Sequence, residues 1–315
     1  MQKQQRNLES ENAELYGYHR PVLLDECLTA LDIRPDGVYV DLTFGGGGHS
    51  REILARLSPK GRLIAFDQDA DAAANALTDA RFELLPYNFR FLSNGLRLAG
   101  VDKVDGILAD LGVSSFQFDT AHRGFSYRFD APLDMRMSQS TTRTAADILR
   151  TYTAEDLQEM FGTLGEVRNA RTLAQAIVQA RQRKPIETTQ EFLALLERLV
   201  MGKKFRYLGQ VFQALRMEVN EEVAALQEML QQTQRALRVG GRLAVITFHS
   251  IEDRLVKNWI KNGNFATEPE RDFYGNAHTP FVPAAKKPIE PTSEEMRLNS
   301  RAHSARLRVG IRTEE

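Results

Sequence analysis

Short apolar runs recur through the first part of the chain, and each is followed by a segment whose apolar residues have helical spacing. We expect four strands from these runs, at Val38–Asp41, Arg62–Phe66, Phe82–Pro86 and Val104–Leu108. Strands that alternate with helices at this spacing are typical of βαβ units. The pattern therefore predicts an α/β fold built on a parallel sheet, with an alanine-rich helix at Ala70–Ala76 among the connections.

The alternation stops after the fourth strand. From Ser114 to Leu237 the apolar spacing is helical, and the next strand is predicted at Arg242–Phe248. Neighbouring parallel strands need a crossover of only about a dozen residues, so the much longer gap predicts an inserted all-helical domain. The long helix that follows carries an apolar stripe from Phe212 to Leu230, and we expect this helix to return the chain to the sheet.

Length and composition indicate an ordinary globular protein of about two domains. The chain has 315 residues, of which 42% are hydrophobic and 26% charged. We expect a disordered tail at residues 1–17, a sheet domain at residues 18–120 and 212–315, and the helical insertion at residues 121–211. A final alternating stretch, Ser304–Arg312, predicts the last strand.

Two further patterns bear on where the protein works. No apolar run reaches the ~20 residues that a membrane span needs, and the polar N-terminus lacks the apolar core of a signal peptide. We therefore expect a cytoplasmic protein that does not contact membranes. The single cysteine excludes an internal disulfide, and the scattered histidines lack ligand spacing, so no metal site is predicted.

Charge is balanced overall but uneven along the chain. The formal net charge of −1 gives no global signature of nucleic-acid binding. Basic residues nevertheless cluster at Arg181–Lys184, at Lys203–Tyr207 and between Arg297 and Arg308. For each cluster taken alone, a solvated surface and a nucleic-acid contact are equally open interpretations.

Polar residues stand at the ends of the predicted strands, where open α/β sheets place their ligands. Asp41 ends the first strand and leads into the glycine loop Gly45–Gly48. Asp67 ends the second strand, and a carboxylate at this distance from the glycines can accept both hydroxyls of a ribose. Phe89 follows the third strand and can stack on a base, while Asp110 ends the fourth. Together these positions predict a site for a nucleoside-like ligand.

Two ligand classes fit that geometry. A dinucleotide site is expected to show G-x-G-x-x-G, and here Gly45 and Gly47 are present but Ser50 occupies the third position. S-adenosylmethionine carries a ribose and an adenine without a phosphate, and it tolerates a looser glycine pattern. The loop alone leaves both classes open.

Several stretches of the chain, spread in one order from about residue 19 to residue 308, resemble a single bacterial family. They are His19–Leu24, Asp41–Ser50, Asp105–Ser115, Arg123–Ser126, Pro132–Met137, Phe212–Asn220, Gly240–Leu243 and Phe248–Lys257. The family is that of ribosomal RNA small subunit methyltransferase H, which modifies N4 of a cytosine. So many ordered matches make coincidence a poor explanation.

The resemblance implies a class I (Rossmann-like) S-adenosylmethionine methyltransferase sheet with an inserted helical domain that recognises the substrate. It implies N4-methylation of a cytidine in the decoding region of 16S rRNA, with S-adenosyl-L-methionine as methyl donor. The partner would be 16S rRNA within the small ribosomal subunit or a late precursor, and a homodimer is compatible with it. The sequence does not distinguish naked RNA from an assembled subunit.

The resemblance also assigns residues. The implied cofactor contacts are Gly47, Gly48, His49, Asp67, Phe89, Asp110 and Gln117. The basic side chains expected to hold RNA are Arg123, Arg136, Lys203, Lys204 and Arg206, with Phe125, Tyr127 and Tyr207 available for stacking. A buried base must leave its stack to reach such a pocket.

The catalytic group is less directly indicated. Many enzymes that methylate amines carry an acid or amide followed by Pro-Pro and an aromatic residue, whereas this chain has Asp110-Leu111-Gly112-Val113. Cytosine N4 is a poor nucleophile, so the site must align it and accept its proton. Asp110 is the first candidate from its position, and Asp134 and His249 are weaker candidates.

Two rival functions remain from the residues themselves. A dinucleotide-dependent oxidoreductase would need the missing third glycine and a hydride-transfer partner. A non-catalytic RNA-binding factor would not need ligand groups such as Asp67 and Asp110 at successive strand ends.

Overall fold

The computed structural model describes residues 20–277 and 279–314, and the chain divides into two compact units. One unit comprises the chain up to Gly112 and from Ala224 onward, and the other comprises Val113–Val223. The tail predicted at residues 1–17 lies outside the described residues, as does His19. The domain limits expected from the sequence, and the recognition role of the helical insertion, stay predictions.

A single seven-stranded sheet organises the first unit. Its spatial order is β3-β2-β1-β4-β5-β7-β6, in which β1 to β5 are parallel to one another and β7 runs antiparallel to both β5 and β6. This arrangement confirms the predicted α/β sheet. The strands are β1 Val38–Asp41, β2 Arg62–Phe66, β3 Phe82–Leu85, β4 Val104–Asp110, β5 Leu237–Thr247, β6 Phe281–Pro283 and β7 Arg306–Arg312.

The α-helices fall in both units. Those of the first unit cover the sheet, and α4 to α9 belong to the second unit. In chain order they are α1 Leu24–Leu31, α2 Gly48–Ala55, α3 Leu92–Leu98, α4 Ser115–Asp119, α5 Ala145–Thr151, α6 Ala154–Leu164, α7 Ala170–Arg181, α8 Thr189–Leu196, α9 Lys204–Val219, α10 Glu222–Ala236, α11 Ser250–Asn262 and α12 Ser293–Leu298.

Helices bury both faces of the sheet. Successive side chains of each strand point to opposite faces, so they enter two different cores. On one face Val40 and Ile107 join a core that includes α3, α10 and α11. On the other face Tyr39 and Leu108 pack with α1 and α2. Burial of both faces explains why the central strands read as nearly continuous apolar runs.

The second unit has its own core, formed by the inner faces of α5 to α9. No strand occurs within residues 113–223, all of which the structure describes; Pro132 and Thr188 form only an isolated bridge. Thr153 and Asp156 form a capping box at the start of α6, in which the Thr153 hydroxyl accepts the Asp156 N–H at 3.1 Å. The inserted helical segment therefore agrees with the sequence pattern.

One predicted element is wrong. The apolar stripe from Phe212 to Leu230 belongs to two helices, α9 and α10, which are separated at Asn220 and Glu221. The Asn220 side chain accepts the Met137 N–H at 2.7 Å and donates to the Met135 carbonyl at 2.8 Å. Glu221 then adopts a positive φ of 50°. These distant hydrogen bonds end α9 although the apolar spacing continues.

Smaller differences affect the edges of elements. The alanine-rich helix is a 3-10 helix, Ala70–Asn75, and β5 begins at Leu237 rather than at Arg242. The short edge strand β6 was not predicted. Within the described part of the chain, no helix combines the length and apolar character needed to cross a membrane.

Candidate active site

The glycine loop joins β1 to α2 with little room for side chains. A Cβ at Gly48 would lie 2.3 Å from Pro21 Cγ, and one at Gly47 would lie 2.8 Å from the Phe44 ring. Gly47 also has a φ of 74°, a conformation that glycine adopts without strain. A Cβ at Gly46, by contrast, would meet nothing within 4 Å. The backbone here is therefore bare and open on one side, as close approach of a ligand requires.

Asp67 lies just beyond the end of β2, next to this loop. One carboxylate oxygen accepts the Gly45 N–H at 2.8 Å, and the other accepts the Asp69 N–H at 2.8 Å. Each oxygen keeps a lone pair for another donor. Burial raises the pKa of Asp67 to about 6 although both N–H groups oppose the shift. The group is thus mainly ionised at neutral pH and can accept two ribose hydroxyls.

Phe89 follows β3 on a short 3-10 turn and is only partly buried. Asn88 holds this turn, because its side-chain oxygen accepts the Arg90 N–H at 2.9 Å. The Asn88 amide also donates to Gln68 Oε1 at 2.8 Å, which links the ends of β2 and β3. The sequence analysis did not predict a role for Gln68. Its position directly after Asp67 was the only indication that it lies near the site.

Asp110 is the last residue of β4, and its backbone N–H donates to Thr43 Oγ1 at 2.7 Å. Its Oδ1 atom is buried without a hydrogen-bond partner among the described residues, while the side chain as a whole is 25% exposed. Burial, together with the nearby carboxylates of Asp41 and Glu252, raises the pKa of Asp110 to about 8. Such a group is a proton acceptor poised near neutral pH.

A second polar cluster lies behind Asp110. Asp41 is buried at the end of β1, where it accepts the Ser50 hydroxyl at 2.6 Å and the Thr43 N–H at 3.1 Å. His49, also buried, makes a 3.1 Å hydrogen bond through Nε2 to the Val22 carbonyl. Its Nδ1 lies 3.9 Å from Asp110 Oδ2. Burial raises the pKa of Asp41 and lowers the pKa of His49.

His249 occupies the N-cap position of α11, at the same edge of the sheet. Its Nδ1 accepts the Glu252 N–H at 3.5 Å, and its Nε2 makes a close but poorly aligned contact of 3.0 Å with Glu252 Oε1. The other oxygen of Glu252 accepts the Phe248 N–H at 3.0 Å. These contacts give His249 a capping role, and its catalytic role stays a prediction.

The remaining predicted residues belong to the second unit. Gln117 is buried and accepts the Ser114 N–H at 3.1 Å in the capping box of α4. Asp134 and Arg136 form a two-point ion pair with distances of 2.8 and 2.7 Å. Although burial works in the opposite direction, this partner lowers the pKa of Asp134. The Asp134 carboxylate therefore favours its ionised, paired form, and its weaker catalytic candidacy stays a prediction.

The predicted RNA-binding side chains differ in exposure. Arg123 is only 2% exposed and donates to the carbonyls of Arg136 and Met137 at 3.0 and 3.1 Å. Lys203, Lys204 and Arg206, at the start of α9, are exposed.

The aromatic side chains expected to stack on bases are mostly covered. Phe125 and Tyr207 are buried, and Tyr127 packs edge-on against Phe212. The exposed aromatic beside the lysines is Phe205, with 75% of its surface accessible. The sequence analysis chose Tyr207 rather than Phe205 for stacking, because apolar spacing does not show which of the two rings is exposed.

The glycine loop, Asp67 and Asp110 thus meet at one edge of the sheet, at the carboxyl ends of parallel strands. No group of three or more His, Cys, Asp or Glu side chains within the described residues is arranged to hold a metal ion. A seven-stranded sheet in this order, with β7 reversed, is typical of class I S-adenosylmethionine methyltransferases. The fold and the site define the chain as a member of that class.

Comparison with known proteins gives the family. Residues 17–313 match the MraW methylase family, and the chain belongs to it. The ribosomal RNA small subunit methyltransferase H of Cytophaga hutchinsonii is 55% identical over 298 residues, covering 94% of this chain and 99% of that protein. Its namesake in Flavobacterium johnsoniae is 54% identical over 293 residues, covering 93% and 97%.

An rRNA methylase from Streptococcus thermophilus aligns with a TM-score of 0.38 and 12% identity, covering 92% of this chain and 94% of that one. This likeness is too distant to assign a role to any residue.

Proposed function

We propose that this chain transfers a methyl group from S-adenosylmethionine to N4 of a cytidine in the decoding region of 16S rRNA. The family membership and the near full-length relatives of that activity support the reaction. The observation that carries the catalytic assignment is Asp110, a partly exposed carboxyl at the end of β4 with one buried oxygen that lacks a hydrogen-bond partner among the described residues.

The residues present fit the methyl donor. Asp67 would accept the ribose hydroxyls through the free lone pairs of its two oxygens, and the open backbone at Gly46 to Gly48 would admit the rest of the molecule. Phe89, only partly buried, would lie against the adenine. The contacts assigned to His49 and Gln117 belong to this proposal too. When bound, S-adenosylmethionine supplies a methyl group on a positively charged sulfur.

Asp110 would act on the amine. The lone pair of cytosine N4 is delocalised into the ring, so the nitrogen needs a partner that holds its N–H bonds while it attacks. The partly exposed carboxylate of Asp110 can accept one of those N–H groups. Once the nitrogen has gained the methyl group and a positive charge, the same carboxylate can take its surplus proton.

The start of α9 supports the RNA contact. Lys203 and Arg206 are exposed and form no ion pair within the described residues, whereas Lys204 pairs with Glu197 at 2.9 Å. Phe205 projects beside them, and an exposed aromatic among cations suits a base and its phosphates. We therefore assign substrate recognition to the helical unit, with Phe205 added to the predicted residues.

The proposal includes the form of the substrate and the compartment. A formal net charge of −1 suits an enzyme that reads a structured RNA–protein surface locally rather than RNA in general. We therefore propose the small subunit, or a late precursor in the cytoplasm, as the substrate.

A methyl-transfer assay tests this function. The chain is incubated with S-adenosylmethionine that carries a labelled methyl group, together with naked 16S rRNA, small subunits, or large subunits as a control. We expect label in the 16S rRNA of small subunits and none in large-subunit RNA. Absence of label from both forms of 16S rRNA would refute the function, and faster labelling of naked RNA would refute only the preferred substrate.

A further inference from the structure

The segment Arg20–Leu23, which leads into α1, contacts the start of α2 at two points. Pro21 packs so closely on Gly48 that a Cβ there would lie 2.3 Å from Pro21 Cγ. The Val22 carbonyl oxygen accepts a hydrogen bond from His49 Nε2 at 3.1 Å. Gly48 and His49 are both assigned to the methyl donor. The position of this segment therefore sets the position of that part of the cofactor site.

The same segment is held by residues near the far end of the chain. Glu295 on α12, which stands 272 positions after Leu23, accepts the Leu23 N–H through Oε1 at 2.7 Å. The Asn299 amide makes a longer contact of 3.5 Å with the Arg20 carbonyl. Leu23 is fully buried, and a buried N–H needs an acceptor. A carboxylate is a strong acceptor, so Glu295 supplies the main restraint.

A single peptide group receives both of the short contacts. The Val22 carbonyl and the Leu23 N–H are the two ends of the peptide that joins these residues. His49 therefore holds one end of the group, and Glu295 holds the other end. Because a peptide group is planar and rigid, rotating it would break both hydrogen bonds at once. The carboxylate on α12 is thus connected to the His49 ring through one rigid unit.

The backbone at Leu23 is strained in this arrangement. Its φ of 52° and ψ of 37° lie in the left-handed region, which is uncommon for a residue with a side chain. Such a conformation persists only where the surrounding contacts hold it. Turning the Val22–Leu23 peptide by about half a turn would bring the Leu23 φ back to a negative value. The Val22 carbonyl would then point away from His49, so loss of the Glu295 acceptor favours release of the ring.

We propose that Glu295 is a positioning residue for the methyl-donor site, an inference that rests on the placement of S-adenosylmethionine at the glycine loop proposed above. Glu295 fixes the peptide group, and the peptide group fixes the His49 ring. Removing the carboxylate loosens the cofactor contact at His49 and leaves Asp67 and Asp110 in place. The consequence is weaker binding of S-adenosylmethionine rather than slower methyl transfer from the bound cofactor.

Two substitutions at Glu295 test the hydrogen bond itself. Glu295→Ala removes the acceptor, whereas Glu295→Gln keeps an oxygen that can accept the Leu23 N–H. We expect the Kd for S-adenosylmethionine, measured by isothermal titration calorimetry, to rise about tenfold or more in Glu295→Ala and less than about threefold in Glu295→Gln. With saturating S-adenosylmethionine, kcat on small subunits should stay within about twofold of the wild type, so that the loss appears in KM.

Two control variants separate this role from charge and from general stability. Glu294→Ala removes the neighbouring, exposed acidic side chain of α12. Asp105→Ala removes another carboxylate that accepts a backbone N–H, that of Val38 at 2.8 Å, at the opposite edge of the sheet where β4 begins. Because Asp105 also pairs with Arg238, its loss should lower the melting temperature at least as much as Glu295→Ala does. The Kd should nevertheless change by less than about threefold in both controls.

An unchanged Kd in Glu295→Ala would overturn the proposal. An equal rise in Kd in Asp105→Ala would also overturn it, because loss of stability would then explain both results. So would a failure of Glu295→Gln to restore binding, since the hydrogen bond would not be the cause. The affinity measurement needs no RNA, so it differs from a test of the proposed function. That function alone would fail if the wild type bound S-adenosylmethionine but methylated no 16S rRNA.

Discussion

The raised pKa of Asp110 makes binding of the methyl donor depend on pH. A pKa of about 8 means that this carboxyl is mostly neutral at neutral pH and ionises as the pH rises. S-adenosylmethionine carries a positive charge on sulfur, which favours an ionised neighbour. Its affinity should therefore increase with pH, and binding below the pKa should release a proton.

The size of the effect follows from the ionised fraction. With a pKa of about 8, Asp110 is ionised to ~10% at about pH 7 and to ~90% at about pH 9. A ligand that binds only the ionised form gains about tenfold in affinity over this range, or ~1.4 kcal/mol. Asp67, with a pKa of about 6, is already mainly ionised throughout and contributes little.

Isothermal titration calorimetry can measure the affinity at both pH values. S-adenosylhomocysteine is a matched control, because it keeps the adenosine and amino-acid parts but lacks the methyl group and the sulfonium charge. We expect a much smaller pH effect for it, and for S-adenosylmethionine binding to Asp110→Asn. Equal pH dependence for the two ligands, or an unchanged dependence in the variant, would refute the assignment of Asp110 to the methyl-donor site.

Three further substitutions test the structure. Gly48→Ala places a Cβ 2.3 Å from Pro21 Cγ and should lower the melting temperature and weaken cofactor binding. The melting temperature of the control Gly46→Ala should hardly change because that position is open. Equal melting temperatures of the two variants would contradict this packing. Asp253→Asn breaks the buried ion pair with Arg308 at 2.6 Å and should lower the free energy of unfolding, measured in urea, by ~3 kcal/mol. The control Glu290→Gln removes an exposed 3.7 Å contact with Arg306 and should lower it by less than ~1 kcal/mol. Phe205→Ala should raise the KM for small subunits about fivefold or more without changing S-adenosylmethionine affinity. The control Phe273→Ala removes another exposed ring. Equal effects of the two variants on KM would argue against an RNA contact at the start of α9.

Much of the sheet could be predicted from local pattern. Arg62–Phe66 is a strand at the predicted residues, and β1 ends at Asp41 as expected, because strands buried on both faces leave continuous apolar runs. The break between α9 and α10 could not be predicted. It depends on hydrogen bonds that the Asn220 side chain accepts from Met137 and donates to Met135, more than eighty positions away. Apolar spacing carries no information on such contacts.

Only part of the candidate site could be predicted from the sequence. Asp67 and Asp110 could be expected at one edge because the carboxyl ends of parallel strands lie together. The approach of His49 to Asp110 could not, since it requires both the register of β1 beside β4 and the orientation of a ring held by Val22. Side-chain exposure could not be predicted from the sequence either, since Phe205 is exposed and Tyr207 is buried.

Mass spectrometry of nucleosides tests the central claim most directly. Small-subunit rRNA that lacks the modification is incubated with the chain and S-adenosylmethionine carrying a deuterated methyl group, then digested to nucleosides. The account predicts a labelled N4-methylcytidine from one position in the decoding region, and a strongly reduced yield with Asp110→Asn. Label on another atom or another base, or no labelled nucleoside at all, would contradict it.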